Sequence, residues 1–208
     1  NAAGTASITT ADIDNGSADN CGLSNLSLDI SSFTCSDVGA NTVTLTATDA
    51  NNNASTATAI VTVIDSIAPT ASAQNVTVYL DGTGNALITT ADIDNGSSDA
   101  CGLSNLSLDV SSFTCADVGN NTVTLTATDA NSNTSTATAI VTVIDSTAPT
   151  ASAQNITVYL DGSGNATITA ASVDNGSADN CGTTTLSIDI SSFTCNEVGN
   201  NTVTLTAT

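Results

Sequence analysis

The segment from Asp14 to Gly22 returns nearly letter for letter from Asp94 and again from Asp174, a spacing of 80 residues both times (94 − 14 and 174 − 94). A fixed period of that size constrains the fold more than any other feature of the chain. It means one small folding unit, copied, with each copy meeting only its neighbours. The question of function moves from which pocket the chain holds to what a string of near-identical units is for.

Six cysteines fall at two fixed phases of this period: Cys21 and Cys35, Cys101 and Cys115, Cys181 and Cys195, each pair 14 apart. Six cysteines allow 15 pairings in principle. Modularity favours the local one, a bridge within each repeat, over buried free thiols. A zinc site is weaker still, because two cysteines without histidine supply too few ligands. Regular disulfides imply an oxidising, extracellular compartment. A bridge closing a loop of this length contributes roughly 3 kcal/mol, a large share of the stability of a small unit.

The complete copy, residues 67–146, alternates in period two over Val76, Val78 and Leu80, then Ala86, Ile88 and Thr90 on a second strand, Leu106, Leu108 and Val110, Val123, Leu125 and Ala127, and Ala137 to Val143. Period two marks half-buried strands, and Thr and Val fill most positions as β-branched residues should. No segment shows a helical period. Six or seven short strands with polar turns predict an all-β chain of tandem immunoglobulin-like β-sandwich repeats. Phe113 is expected in the core beside a disulfide, and Tyr79 only partly buried. The repeat boundaries fall at Ile64 to Pro69 and Ile144 to Pro149. Each proline stops an outgoing ladder because it has no N–H. This divides the chain into 1–66 (incomplete at its start), 67–146 and 147–208 (incomplete at its end), and the expectation is a fragment of a longer protein. The short linkers contain no glycine, so the repeats are expected to form a stiff, elongated rod.

The chain has no Lys, Arg or His and 20 acidic residues, a net charge of −20. Nucleic acids and anionic membranes demand cations on the protein, so neither is an expected partner. There is no apolar run of about 18 residues for a membrane span. No carboxylate can find a salt bridge, and the mutual repulsion calls for external counterions. Asp14, Asp94 and Asp174 and Asp19, Asp99 and Asp179 flank the Asn-Gly-Ser turn, and Asp65 and Asp145 lie in the linkers. Gathered at one end of a sandwich, these eight would offer Ca²⁺ the hard oxygen ligands it takes. Asp, Asn, Gly and Ser are equally turn formers, and that reading stays open beside calcium. Asp49 and Asp129 follow a long strand, Asp81 and Asp161 end one, and Asp29, Asp109 and Asp189 read as a solvated strand face. Asp12 and Asp92 become Ser172, and Asn20 becomes Ala100, so neither position is essential in every copy.

Asn-x-Ser/Thr sequons at Asn15, Asn75 and Asn155 arise readily by chance in so Asn-, Ser- and Thr-rich a chain. Asp65-Ser-Ile and Asp145-Ser-Thr resemble short bacterial O-glycan attachment sites. The Thr row from Thr42 to Thr48 reflects strand propensity. Acid–base catalysis lacks His and Lys, and with so few aromatics to hold a sugar, no enzyme is expected.

The string Asp-Asn-Gly-Ser-Ala-Asp-Asn-Cys-Gly, then Ser-Phe-Thr-Cys, then Val-Gly-Asn-Asn-Thr-Val-Thr-Leu-Thr-Ala-Thr-Asp-Ala-Asn, then Val-Thr-Val-Ile-Asp-Ser-x-Ala-Pro resembles the hyalin-repeat-like, immunoglobulin-like repeats of giant secreted surface proteins of gliding, Bacteroidetes-type bacteria. The resemblance covers the whole chain. It implies an extracellular location, often reached by type IX secretion, in gliding adhesins or hook-like and fibrous appendages. The expectation is therefore a spacer in a very long adhesin or filamentous appendage, stiffened by disulfides within repeats and by Ca²⁺. Its partners would be neighbouring repeats, other copies in a multi-chain shaft, and a cell-surface target reached through a tip domain. The alternative is a multivalent module that binds glycans or proteins, whose mark would be an exposed aromatic or apolar patch recurring every 80 residues.

Overall fold

Eleven residues, Gly119–Asp129, show how the sequence builds its strands: Val123, Leu125 and Ala127 are wholly buried, while the threonines between them face outward. That is the two-residue pleat of a strand with one face on a core. The computed structural model describes residues 3–208 and is all-β apart from single helical turns. The elements recur at the sequence period.

In the first repeat, β1 (Thr5–Ser7) is followed by a helical turn α1 (Thr10–Ile13), then β2 (Leu23–Leu28), β3 (Ser32–Thr34), β4 (Gly39–Asp49) and β5 (Ala54–Val63). Strands β1 and β3 pair antiparallel with Ala6 opposite Phe33. The order β2–β4–β5 makes a second sheet. Phe33 from the first sheet and Val43 and Leu45 from the second are buried. The second repeat adds β6 (Val76–Tyr79), β7 (Asn85–Leu87), α2 (Thr90–Ile93), β8 (Leu103–Leu108), β9 (Ser112–Thr114), β10 (Gly119–Asp129) and β11 (Thr134–Ile144). Here β7 pairs with β9, and the larger sheet runs β6–β11–β10–β8. Strand β6 lies parallel to β11, Val76 opposite Val141. The third repeat contains β12 (Asn165–Thr167), α3 (Ala170–Val173), β13 (Leu186–Ile188), β14 (Ser192–Thr194) and β15 (Leu205–Ala207). The two-sheet arrangement is an immunoglobulin-like β-sandwich.

Two compact units divide the chain. One comprises Asn1–Gln74, Ile93–Asp109 and Thr124–Thr138, the other Asn75–Asp92, Val110–Val123 and Ala139–Thr208. The first unit contains the first repeat with residues 67–74, 93–109 and 124–138 of the second; the other contains the third repeat with the remaining segments of the second. Within the second unit the third repeat has a thin core of Ile168, Val173 and Phe193. Ile156 to Tyr159, the sequence equivalent of β6, forms no strand.

Two local expectations need correction. The helical turns escaped the period reading because four residues complete barely one turn. Thr90, expected to continue a strand, begins α2. Tyr79 is 62 % exposed, only partly buried as expected. Phe113 is 1 % exposed, in the core as anticipated.

Candidate functional site at the repeat junctions

Strand β3 ends at Thr34, and a 3-10 turn, Cys35–Asp37, follows at once. Asp37 Oδ2 accepts the Thr34 N–H at 2.7 Å and the Thr34 hydroxyl at 2.9 Å, which fixes the turn and presents the Cys35 side chain. Gly4 lies against that sulfur with φ +68°; a Cβ there would stand 2.6 Å from Cys35 Sγ and 3.4 Å from Cys101 Sγ. Only glycine tolerates both the left-handed backbone and the close approach. The opposing cysteine is seated by Asp99, whose Oδ1 accepts the Cys101 N–H at 2.7 Å. Cys35 and Cys101 form a disulfide with Cα atoms 5.1 Å apart.

The other unit repeats the construction. Asp117 Oδ2 accepts the Thr114 N–H, Gly84 (φ +78°) backs Cys115 Sγ, and Asp179 Oδ1 accepts the Cys181 N–H. Cys115 and Cys181 are bridged, Cα atoms 4.9 Å apart. Asn180 Nδ2 ties this seat to the Asp81 carbonyl oxygen at 3.1 Å. A third seat, Gly164 with the Thr194–Glu197 turn, holds Cys195, which is a free thiol, as is Cys21.

The bridges expected within each repeat, Cys21 with Cys35, Cys101 with Cys115 and Cys181 with Cys195, do not form. Both disulfides instead join one repeat to the next, at a sequence separation of 66. The reason lies in the strand between the two cysteines of a repeat. A six-residue strand such as β2 or β8 carries the chain about 20 Å, and the three-residue strand after it returns at most about 10 Å. A bridge tolerates only roughly 4.4–6.8 Å between Cα atoms.

The eight aspartates singled out as calcium ligands are divided in the same way. Asp14, Asp94 and Asp174 cap turns: their Oδ1 atoms accept the N–H groups of Ser17, Ser97 and Ser177 at 3.0, 3.0 and 2.9 Å. Hydrogen bonds from the serine side chain and then its backbone hold each carboxyl below its usual range. Asp19, Asp99 and Asp179 seat the cysteines through 2.7 Å bonds. Asp65 and Asp145 turn the linkers by accepting the N–H of Ile67 and Thr147. Among the described residues the only acidic or thiol group of three that could hold an ion is Asp65, Asp99 and Cys101, whose ligand atoms lie within 4.8 Å of one another. Asp65 Oδ2 is buried there without a hydrogen-bond partner. The sulfur, being in a disulfide, offers nothing to a hard cation. The hard donors left to a divalent ion are the carboxylates of Asp65 and Asp99; Asp65 also borders a cavity of about 80 Å³ with Gly4, Cys35, Ile67 and Cys101.

No protein-family model matches this chain, and no curated protein does. Among solved structures the chain is similar to the extracellular cadherin domains 1–4 of protocadherin gamma B7, with 12 % identity and a TM-score of 0.34, over 81 % of this chain and 54 % of that one. The chain thus spans about half the length of that structure, and the fold assignment stands on the sheets themselves. Two disulfides fit an oxidising, extracellular setting. Among the described residues no helix is long and apolar enough to cross a membrane.

Several structural carboxylates were not legible as such. Asp29, Asp109 and Asp189, expected on a solvated face, accept the backbone N–H of Thr44, Thr124 and Thr204 at 2.7, 2.7 and 2.8 Å. Asp129 is 2 % exposed; burial pushes its carboxyl up, yet the hydrogen bonds from Asn133, Asn131 and Ser132 outweigh this and hold it below the usual range. Asp12 and Asp92 accept the Thr9 and Thr89 N–H at 2.7 Å and cap the helical turns. Ser172 takes over that role at 3.2 Å, which explains how the third repeat dispenses with the acid. The Gly4, Gly84 and Gly164 seats carry a usable sequence signal: each stands 31 residues before its cysteine.

Proposed function

We propose that the chain is a spacer segment of a very long extracellular adhesin or filamentous cell-surface appendage, whose repeats are joined by cystines as well as by the backbone. The observation that carries this reading is the disulfide across each repeat junction, at the same phase both times. Linking one repeat to the next contributes nothing to a binding surface on either. It does restrain one repeat against its neighbour, which is what a stalk needs. Kinship with hyalin-repeat-like surface proteins and export by the type IX route belong to the same reading, supported by the motif string. So do a distal tip domain and, as partners, other copies in a multi-chain shaft. A calcium ion held between Asp65 and Asp99 would add a second restraint beside the first cystine. Catalysis is no part of the reading: the chain has no His or Lys to move protons.

One observation favours the multivalent binding module as a second reading. Tyr79 and Tyr159, 80 residues apart, are 62 % and 87 % exposed. An array of glycans and surface proteins probed with the 208-residue chain separates the two. The spacer reading expects no reproducible capture. Capture that disappears in a Tyr79→Ala, Tyr159→Ala variant would replace it with the binding reading.

A further inference from the structure

The covalent connectivity of the two bridges has a mechanical consequence that rests on the spacer reading and deepens it. We propose that the cystines form a load path through the chain that leaves most of each repeat out of tension, so that the oxidised array is close to inextensible. Pull on the two ends of the chain. Tension reaches Cys35 and crosses directly to Cys101, because that bridge is shorter than the 66-residue route around it. It then follows the backbone for 14 residues to Cys115 and crosses again, to Cys181. Residues 36–100 and 116–180 lie in closed loops beside the path and carry no load.

The lengths decide the behaviour. Each 80-residue period contributes only 14 residues of loaded backbone, which at full extension reach about 50 Å. The same period without bridges reaches about 280 Å. One 11-residue strand such as β10 already spans roughly 36 Å. The loaded segment can therefore stretch little beyond the length of a strand even if all of it comes undone. The segment is also well anchored. Ser104 Oγ donates to the Thr128 and Asp129 carbonyls at 3.1 and 2.6 Å, and Phe113 is buried at 1 % exposure. A chain without bridges would have to resist extension with a core of Val, Leu and Ala; here covalent bonds resist it instead.

The pairing within repeats would do the reverse. It would shield 14 residues per period and leave 66 in the path. Of the two modular pairings, connectivity across the junction, with the short segment inside the repeat, is thus the one that extends less.

Single-molecule force spectroscopy on the oxidised 208-residue chain, tethered at its ends, tests this. During the pull dithiothreitol is added; each cystine takes two electrons and two protons from one dithiothreitol, which closes to its cyclic disulfide. The expected result is two added length increments of about 230 Å, one per bridge. A Cys35→Ser variant should show one such increment, and the unaltered chain provides the test if that variant does not fold. Increments of about 50 Å, or an oxidised chain that already extends to the length of the reduced one, would overturn the load path. Either failure would leave the spacer reading to the binding array, which does not depend on connectivity.

Discussion

Asp65 carries a buried carboxylate oxygen in a chain with no lysine, arginine or histidine to answer it. Asp99 lies within reach, its other oxygen already spent on seating Cys101. Two carboxylates this close repel, and a divalent cation would relieve both the repulsion and the missing partner at once. Extracellular calcium modules bind with dissociation constants on the order of 10⁻⁴–10⁻³ M. At about 10 mM calcium such a site would stabilise the fold by roughly 1.4–2.7 kcal/mol. The melting midpoint is therefore expected to rise with calcium relative to chelator, and the rise to vanish in Asp65→Asn. A midpoint indifferent to calcium would remove the ion from the account. At this scale the sequence was half legible. It presented Asp65 and Asp99 among eight candidates, and all eight accept neighbouring N–H groups, as turn chemistry also allowed.

Among the elements, the long strands announced themselves and the connections between them did not. Alternation over Val123, Leu125 and Ala127 placed β10, and the same pattern placed β11. The turn α1 is too short for a period, although Thr9 with Asp12 three residues later is a capping pair that a search for helix starts can find. Asp29 is exposed, as expected, but its bond from the Thr44 N–H, 15 residues away on β4, leaves no local trace in the sequence. That clamp makes the sheets acid-sensitive. Hydrogen bonds from the Thr44 backbone, then its side chain, lower the Asp29 carboxyl from its ordinary value of 3.8, and the Thr204 backbone does the same for Asp189. A depressed folded value gives stability that is complete above the unfolded value and is lost as pH falls through the folded one. Protonation also relieves the repulsion of a chain of charge −20, an effect of opposite sign. The hydrogen bonds are local and many, so the melting midpoint should fall between about pH 5 and pH 2, and fall less in Asp29→Asn. A midpoint that climbs on acidification would show that repulsion dominates.

For the molecule as a whole, the period was plain and the cystine network was not. Within an 80-residue repeat, separations of 14 and 66 are complements, so the sequence pattern fits a bridge inside each copy and a bridge between copies equally well. Economy of loop closure favours the shorter. What decides for the longer is the run of strand between the two cysteines, which takes them apart, and the glycine and aspartate seats that bring cysteines of successive repeats together. The most direct measurement is disulfide mapping by mass spectrometry on the oxidised, unreduced chain. Cleavage at acidic residues separates every cysteine from the others, since Asp29, Asp99, Asp109, Asp117, Asp179 and Asp189 fall between them. The account predicts linked peptides containing Cys35 with Cys101 and Cys115 with Cys181, and alkylated Cys21 and Cys195. Peptides joining Cys21 to Cys35 or Cys101 to Cys115 would contradict it.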